Sequence, residues 1–115
     1  MRQSLEDLIF IGKIEKPFKV FGKNWKLSTL TSNEQLDATS ATDGYDALSR
    51  VNALKIEILA RSVKQVETTE LNDIAENVEF IGKLQMPVIN ELFSKYEVLQ
   101  REQDSALKDL DEIKN

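Results

Sequence analysis

Histidine and cysteine are both missing from this chain. The lack of cysteine excludes a disulfide framework, a thiol nucleophile and a thiolate metal site, and it is compatible with a reducing compartment. The lack of histidine removes the commonest general base, the usual partner of a nucleophilic serine and the usual transition-metal ligand together. Serine and threonine are plentiful, but with no histidine to activate them they are not read as a nucleophilic constellation. Nor is there a glycine-rich phosphate loop: Gly12 and Gly22 belong to no G-x-G-x-x-G and to no Gly-Lys-Ser or Gly-Lys-Thr. No apolar run approaches the roughly 20 residues of a membrane-spanning helix. Acids precede the short apolar run of MRQSLEDLIFIGK, and no small-residue cleavage pattern follows it, so it does not read as a secretory signal. A cytoplasmic protein is expected.

What is present is an ordinary globular balance. The chain has 115 residues, 41% apolar and 30% charged, which fits one core and argues against wholesale disorder. The formal charge of −5 favours solubility over sequence-independent phosphate binding, which needs clustered Lys and Arg. A local basic stretch nevertheless runs through Lys13, Lys16, Lys19, Lys23 and Lys26.

Patterning predicts an α+β, mostly helical fold: an N-terminal β-hairpin on a bundle of three to four helices, with a long C-terminal helix. Residues 1–86 form the core domain and 87–115 the long helix, free to project. Ser4 with Glu6 and Asp7 suggests a short opening turn. Alternation of Ile11, Ile14, Phe18 and Val20 with lysines, a turn at Gly22–Lys23–Asn24, then Trp25 and Leu27 predict a hairpin over about 11–30. Pro17 suits an edge strand or a bulge. Thr31-Ser32-Asn33-Glu34 has the form of a capping box and opens a helix over 32–42.

A central helix over 45–66, capped by Asp46 or Asp43, carries Leu48, Val51, Leu54, Ile58 and Leu59 on one side, expected to be the buried face. Leu71, Ile74, Val78 and Ile81 suggest a helix over 71–82. Pro87 then starts a helix whose Ile89, Leu92, Tyr96, Leu99, Gln103, Ala106, Leu110 and Ile113 repeat with heptad spacing. The likeness of Phe10-Ile11-Gly12-Lys13 to Phe80-Ile81-Gly82-Lys83 reads as coincidence, because the flanks diverge.

No catalytic, cofactor-binding or metal residues are assigned. Glu67, Glu70, Asp73, Glu76 and Glu79 are spaced so that several would share a helix face, and they read as a solvated acidic face rather than a cation site. The basic hairpin with Phe18, Phe21 and Trp25 has the composition to stack single-stranded bases, although core aromatics with edge lysines explain it as well. The last helix carries the strongest candidates for protein contact, Leu92, Tyr96, Leu99, Leu107 and Leu110, with Phe18, Phe21 and Trp25 as a second surface.

The segment GKIEKPFKVFGKNWKLSTLTSNEQLDATSATDGYDALSRVNALKIEILARSVKQV looks like the tail assembly chaperones of long-tailed bacteriophages. The shared pattern is a Gly-Lys basic strand, a second hairpin strand ending in Leu-Ser-Thr-Leu-Thr, an acidic Glu-Gln-Leu helix and a long helix with Ala-Leu-Lys-Ile-Glu-Ile-Leu-Ala-Arg. The segment VEFIGKLQMPVINELFSKYEVLQREQDSAL is similar to phage tail and baseplate assembly proteins in which Leu-x-x-Pro-Val precedes a Leu-Phe-x-x-Tyr-x-x-Leu helix. The resemblance spans nearly the whole chain. It implies a non-enzymatic protein of the infected host's cytoplasm that binds the tape measure protein and helps recruit tail-tube subunits. It is also compatible with a structural subunit kept in the virion tail or baseplate. Self-association through the C-terminal helix and a small nucleic-acid-binding regulator are the remaining expectations. No membrane partner is expected.

Overall fold

The computed structural model describes residues 8–114, with side chains through Asp109. The opening turn expected at Ser4–Asp7 and the side chains of Leu110 and Ile113 lie outside this description. Residues 8–12 make a helical turn that ends at Gly12, whose φ of +83° suits a residue without a Cβ. Strands β1 (Glu15–Val20) and β2 (Lys23–Ser28) form the expected hairpin. Its turn is Phe21–Gly22 rather than Gly22–Lys23–Asn24: both turn residues have positive φ, as in a type I′ hairpin turn, and Lys23 already pairs with Val20.

β1 is an edge strand. The Thr29 N–H donates to the Ile14 carbonyl (2.9 Å), so by alternation residues 16, 18 and 20 also bond inward, leaving Pro17 at an outward position where a missing N–H costs nothing. Helix α1 (Ser32–Ser40) opens with the capping box expected of it. Glu34 N–H donates to Thr31 Oγ1 (3.2 Å) and Thr31 N–H donates to Glu34 Oε1 (2.9 Å). Asp46 caps helix α2 (Ala47–Ser62) through the Ser49 N–H at 2.9 Å.

Here the fold departs from the periodicity. The central helix does not reach Val66: it ends at Ser62, and the chain passes directly into strand β3 (Val63–Val66), which pairs antiparallel with β2. Trp25 faces Val66 and Leu27 faces Val63, with an irregularity between Lys26 and Leu27. β-Branched valines fit a pleated, half-buried strand better than a helix, and the β2 edge supplies hydrogen bonds that no local rule foresees. A turn at Glu67–Thr68 leads into the two-residue strand β4 (Thr69–Glu70), giving one four-stranded sheet in the order β1-β2-β3-β4. Asp73 caps helix α3 (Ile74–Gly82), so Glu67, Glu70 and Asp73 precede the helix and do not share a face of it with Glu76 and Glu79. Gly82 is helical while Gly12 is left-handed, so the two Phe-Ile-Gly-Lys stretches have no common conformation.

Helix α4 (Met86–Lys114) has 29 residues, about 43 Å at 1.5 Å per residue. Ile89, Leu92, Tyr96 and Leu99 pack with Val20, Trp25, Leu27, Leu30, Leu59, Val63 and Ile81 into one core. Two of its polar side chains are paired, Asn77 Nδ2 donating to the Ala60 carbonyl (2.9 Å) and Ser62 Oγ to the Ser28 carbonyl (2.8 Å), whereas the buried Trp25 Nε1–H finds no acceptor among the described residues. Burial on α2 is weighted towards its second half, with Ala53 the buried residue of the first. Leu59 is fully enclosed, whereas Leu48 is 88% and Val51 58% exposed, because the sheet and α4 cover only the end of α2 nearest β3.

Candidate functional site: an apolar groove between the N-terminal turn and helix α4

The residues expected to contact a partner fall into three different environments. Leu92, Tyr96 and Leu99 belong to the core, which corrects their assignment as a partner surface: the first half of the heptad seam is covered by the protein's own sheet. Phe18 and Trp25 form a cross-strand pair on the inner face of the hairpin, Trp25 buried and stacked on Phe80 with ring centroids 6.3 Å apart, so they are not free platforms for bases. Lys16 lies over the Phe18 ring at 5.5 Å. Phe21, at the hairpin tip, is exposed and separate from both. Leu107 is partly exposed, and Leu110 has no described side chain.

Leu107 is the residue around which a surface site forms. Beyond Leu99, α4 leaves the core and runs beside the N-terminal turn. Gln103 Nε2 donates to the Gly12 carbonyl (3.0 Å), and a Cβ at Gly12 would lie 3.2 Å from the Leu107 methyl carbons. Glycine at this position therefore serves both its left-handed φ and the close approach of Leu107. Lys16 Nζ reaches Glu102 Oε1 at 2.6 Å and fixes the adjacent turn of α4 to β1. Both partners are over a third exposed, so this pair sets position more than stability.

Between these elements and the start of α1 lies a groove of about 610 Å³. Ile9, Phe10, Ile11, Leu30 and Leu107 supply its apolar surface; Lys13 and Lys64 supply positive charge. Ile9, Phe10 and Ile11 are each more than half exposed, and Lys13 Nζ stands 5.6 Å above the Phe10 ring. The floor near α1 is polar, since Thr29, Thr31, Glu34 and Gln35 border it. Glu34 is engaged in the capping box. Tyr96 approaches α1 from beneath: burial raises its phenol pKa above the ordinary value, the Glu34 charge adds to this, and a hydrogen bond with Gln35 opposes it. Gln100 Nε2 donates to the Tyr96 hydroxyl at 3.3 Å.

Chemically the groove offers apolar contact and two ammonium groups to a partner. It brings together Leu107 and a stretch that alternation alone passes over. The signal for that stretch is its sequence, Leu8-Ile9-Phe10-Ile11, an unbroken apolar run ahead of the hairpin. A second exposed apolar set, Leu36 on α1 with Leu48 and Val51 on α2, lies outside the groove lining. None of the described helices is long and apolar enough to cross a membrane. Comparison with protein-family models, curated proteins and solved structures yields no match.

Proposed function

We propose that this protein is a non-enzymatic tail assembly chaperone of a long-tailed bacteriophage, which holds a helical segment of the tape measure protein and passes it to tail-tube subunits. The observation that carries the reading is the exposed apolar groove formed by Ile9, Phe10, Ile11 and Leu107. A holder of a long apolar helix needs an open apolar surface on a charged, soluble body. Lys13 and Lys64 suit acidic residues flanking the apolar stripe of such a helix. The sequence resemblance suggests the partner in this reading, and the exposed apolar side chains of the groove support it.

The test is co-purification of the tape measure protein with the wild-type chain and with an Ile9→Asp, Leu107→Asp variant. Both side chains are at least a third exposed, so the variant is expected to fold and to lose the partner. Retention of the partner by the folded variant refutes the groove. Leu99→Asp is unsuitable for this purpose, because Leu99 is fully buried and its loss would unfold the protein. Mass spectrometry of purified virions distinguishes a chaperone, scarce in the finished particle, from a retained tail subunit.

A further inference from the structure

Two non-glycine residues have left-handed backbones, Phe21 (φ +48°) and Glu67 (φ +53°), among the described residues. Both lie at one end of the sheet. Phe21 is in the β1–β2 turn and Glu67 in the β3–β4 turn, and the Glu67 N–H donates to the Asn24 carbonyl at 2.7 Å. A bulky aromatic at positive φ is uncommon where Gly or Asn would serve, and this one also leaves its ring 68% exposed. Lys19 and Lys23 flank it, both exposed.

Beside the tip is a cleft of about 550 Å³. Val66, Leu71 and Phe80 provide its apolar surface, and Glu67, Glu70 and Glu76 its acidic rim. Among the described residues none of these glutamates, nor Lys19 or Lys23, makes an ion pair. The same contrast runs through the sequence: residues 13–26 hold five lysines and one acid, while residues 67–79 hold five acids and no base. Lys23 itself lines the cleft, so tip and cleft are neighbours on a single surface.

We infer that the turn end of the sheet is a self-association surface, in which Phe21 of one copy enters the Val66–Leu71–Phe80 cleft of a second copy. Because tip and cleft adjoin, a two-fold axis lets each copy fill the other's cleft, giving a closed, isologous dimer. Lys19 and Lys23 of each copy then face Glu67, Glu70 and Glu76 of the other, and the cleft is large enough for a phenyl ring. The contact is small, so the dimer forms in a concentration-dependent equilibrium. This surface does not include the groove that carries the proposed function.

Sedimentation of the full chain over a concentration series, at low and high salt, tests the inference. The wild type is expected to dimerise, more weakly at high salt. Phe21→Gly removes the ring and relieves the left-handed backbone; it is expected to keep or raise the melting temperature while weakening dimerisation at least about tenfold. Lys19→Glu with Lys23→Glu, and separately Glu70→Lys with Glu76→Lys, are each expected to be monomeric alone and to form a heterodimer when mixed. A wild type that stays monomeric at every concentration overturns the inference. So does a dimer unaffected by Phe21→Gly, or a monomeric protein whose tip instead binds anionic vesicles or single-stranded DNA in a Phe21-dependent way.

Discussion

The two halves of helix α4 carry apolar residues at similar helical spacing and meet opposite fates. From Ile89 to Leu99 the stripe is enclosed by the sheet and by α2, with Leu92 and Leu99 fully buried. Eight residues after Leu99, Leu107 remains more than a third exposed beside a turn whose own apolar side chains face solvent. The stripe is strongly apolar as far as Leu99, where the protein's own core covers it; beyond that, Gln103 and Ala106 occupy the heptad positions and Leu107 stands one residue off them. The first half stabilises the fold, and the second half is left available for contact with another chain.

Truncating a leucine in each half of α4 should separate the two roles. Leu99→Ala should destabilise the protein by about 2–5 kcal/mol, the usual range for a fully enclosed leucine, measured as a shift in the denaturant midpoint. A loss below about 1 kcal/mol would show that this half of the helix is less tightly held than its burial implies. The capping box comes next: Thr31→Ala should cost about 1 kcal/mol, because the Glu34 N–H then loses its acceptor.

A double-mutant cycle on Lys16 and Glu102 should give a coupling of about 0.2–1 kcal/mol that fades with salt, since both side chains are over a third exposed. Leu107→Ala should change stability by less than about 0.5 kcal/mol. It should still weaken binding of a tape measure segment, which is the separation of roles that the comparison requires.

At neutral pH the smallest effect belongs to the Tyr96 phenol, which is uncharged there. Its pKa is raised in the fold, chiefly by burial, so its contribution is complete below the ordinary tyrosine value of 10.0 and declines as pH rises past that value. Stability should fall on the alkaline side, and Tyr96→Phe should flatten that slope in a pH series of thermal melts. Asp46 has the opposite sign. Its carboxylate pKa is lowered, first of all by the Ser49 backbone N–H, so its contribution is present above 3.8 and is lost as pH falls through the lower folded value. Asp46→Asn should reduce the acid-side slope.

Local chemistry in the chain was enough to place the hairpin to within a residue of its turn, the cap at Thr31, the cap of α2 as one of Asp43 and Asp46, the ending of α3 near Gly82 and the start of α4 near Pro87. Each depends on neighbours within about four residues: a turn, a hydroxyl and the acid three positions on, or a missing N–H where none is needed. What the tertiary structure alone decided was pairing and cover. Val63–Val66 became a strand because the β2 edge lay open beside it; valines three residues apart continue the helical spacing of α2, and a run this short takes the state its partner supplies. Leu48 and Leu59 obey the same periodicity, yet only Leu59 has a sheet and helices above it.

The candidate groove was half legible. Leu107 stood in the long helix and Leu8–Ile11 in an obvious apolar run, but their meeting is a contact between positions almost a hundred residues apart in sequence. Gly12 makes that approach possible, and Gln103 fastens it. Periodicity says which side of a helix prefers to leave water; only the folded chain decides whether anything is there to receive it.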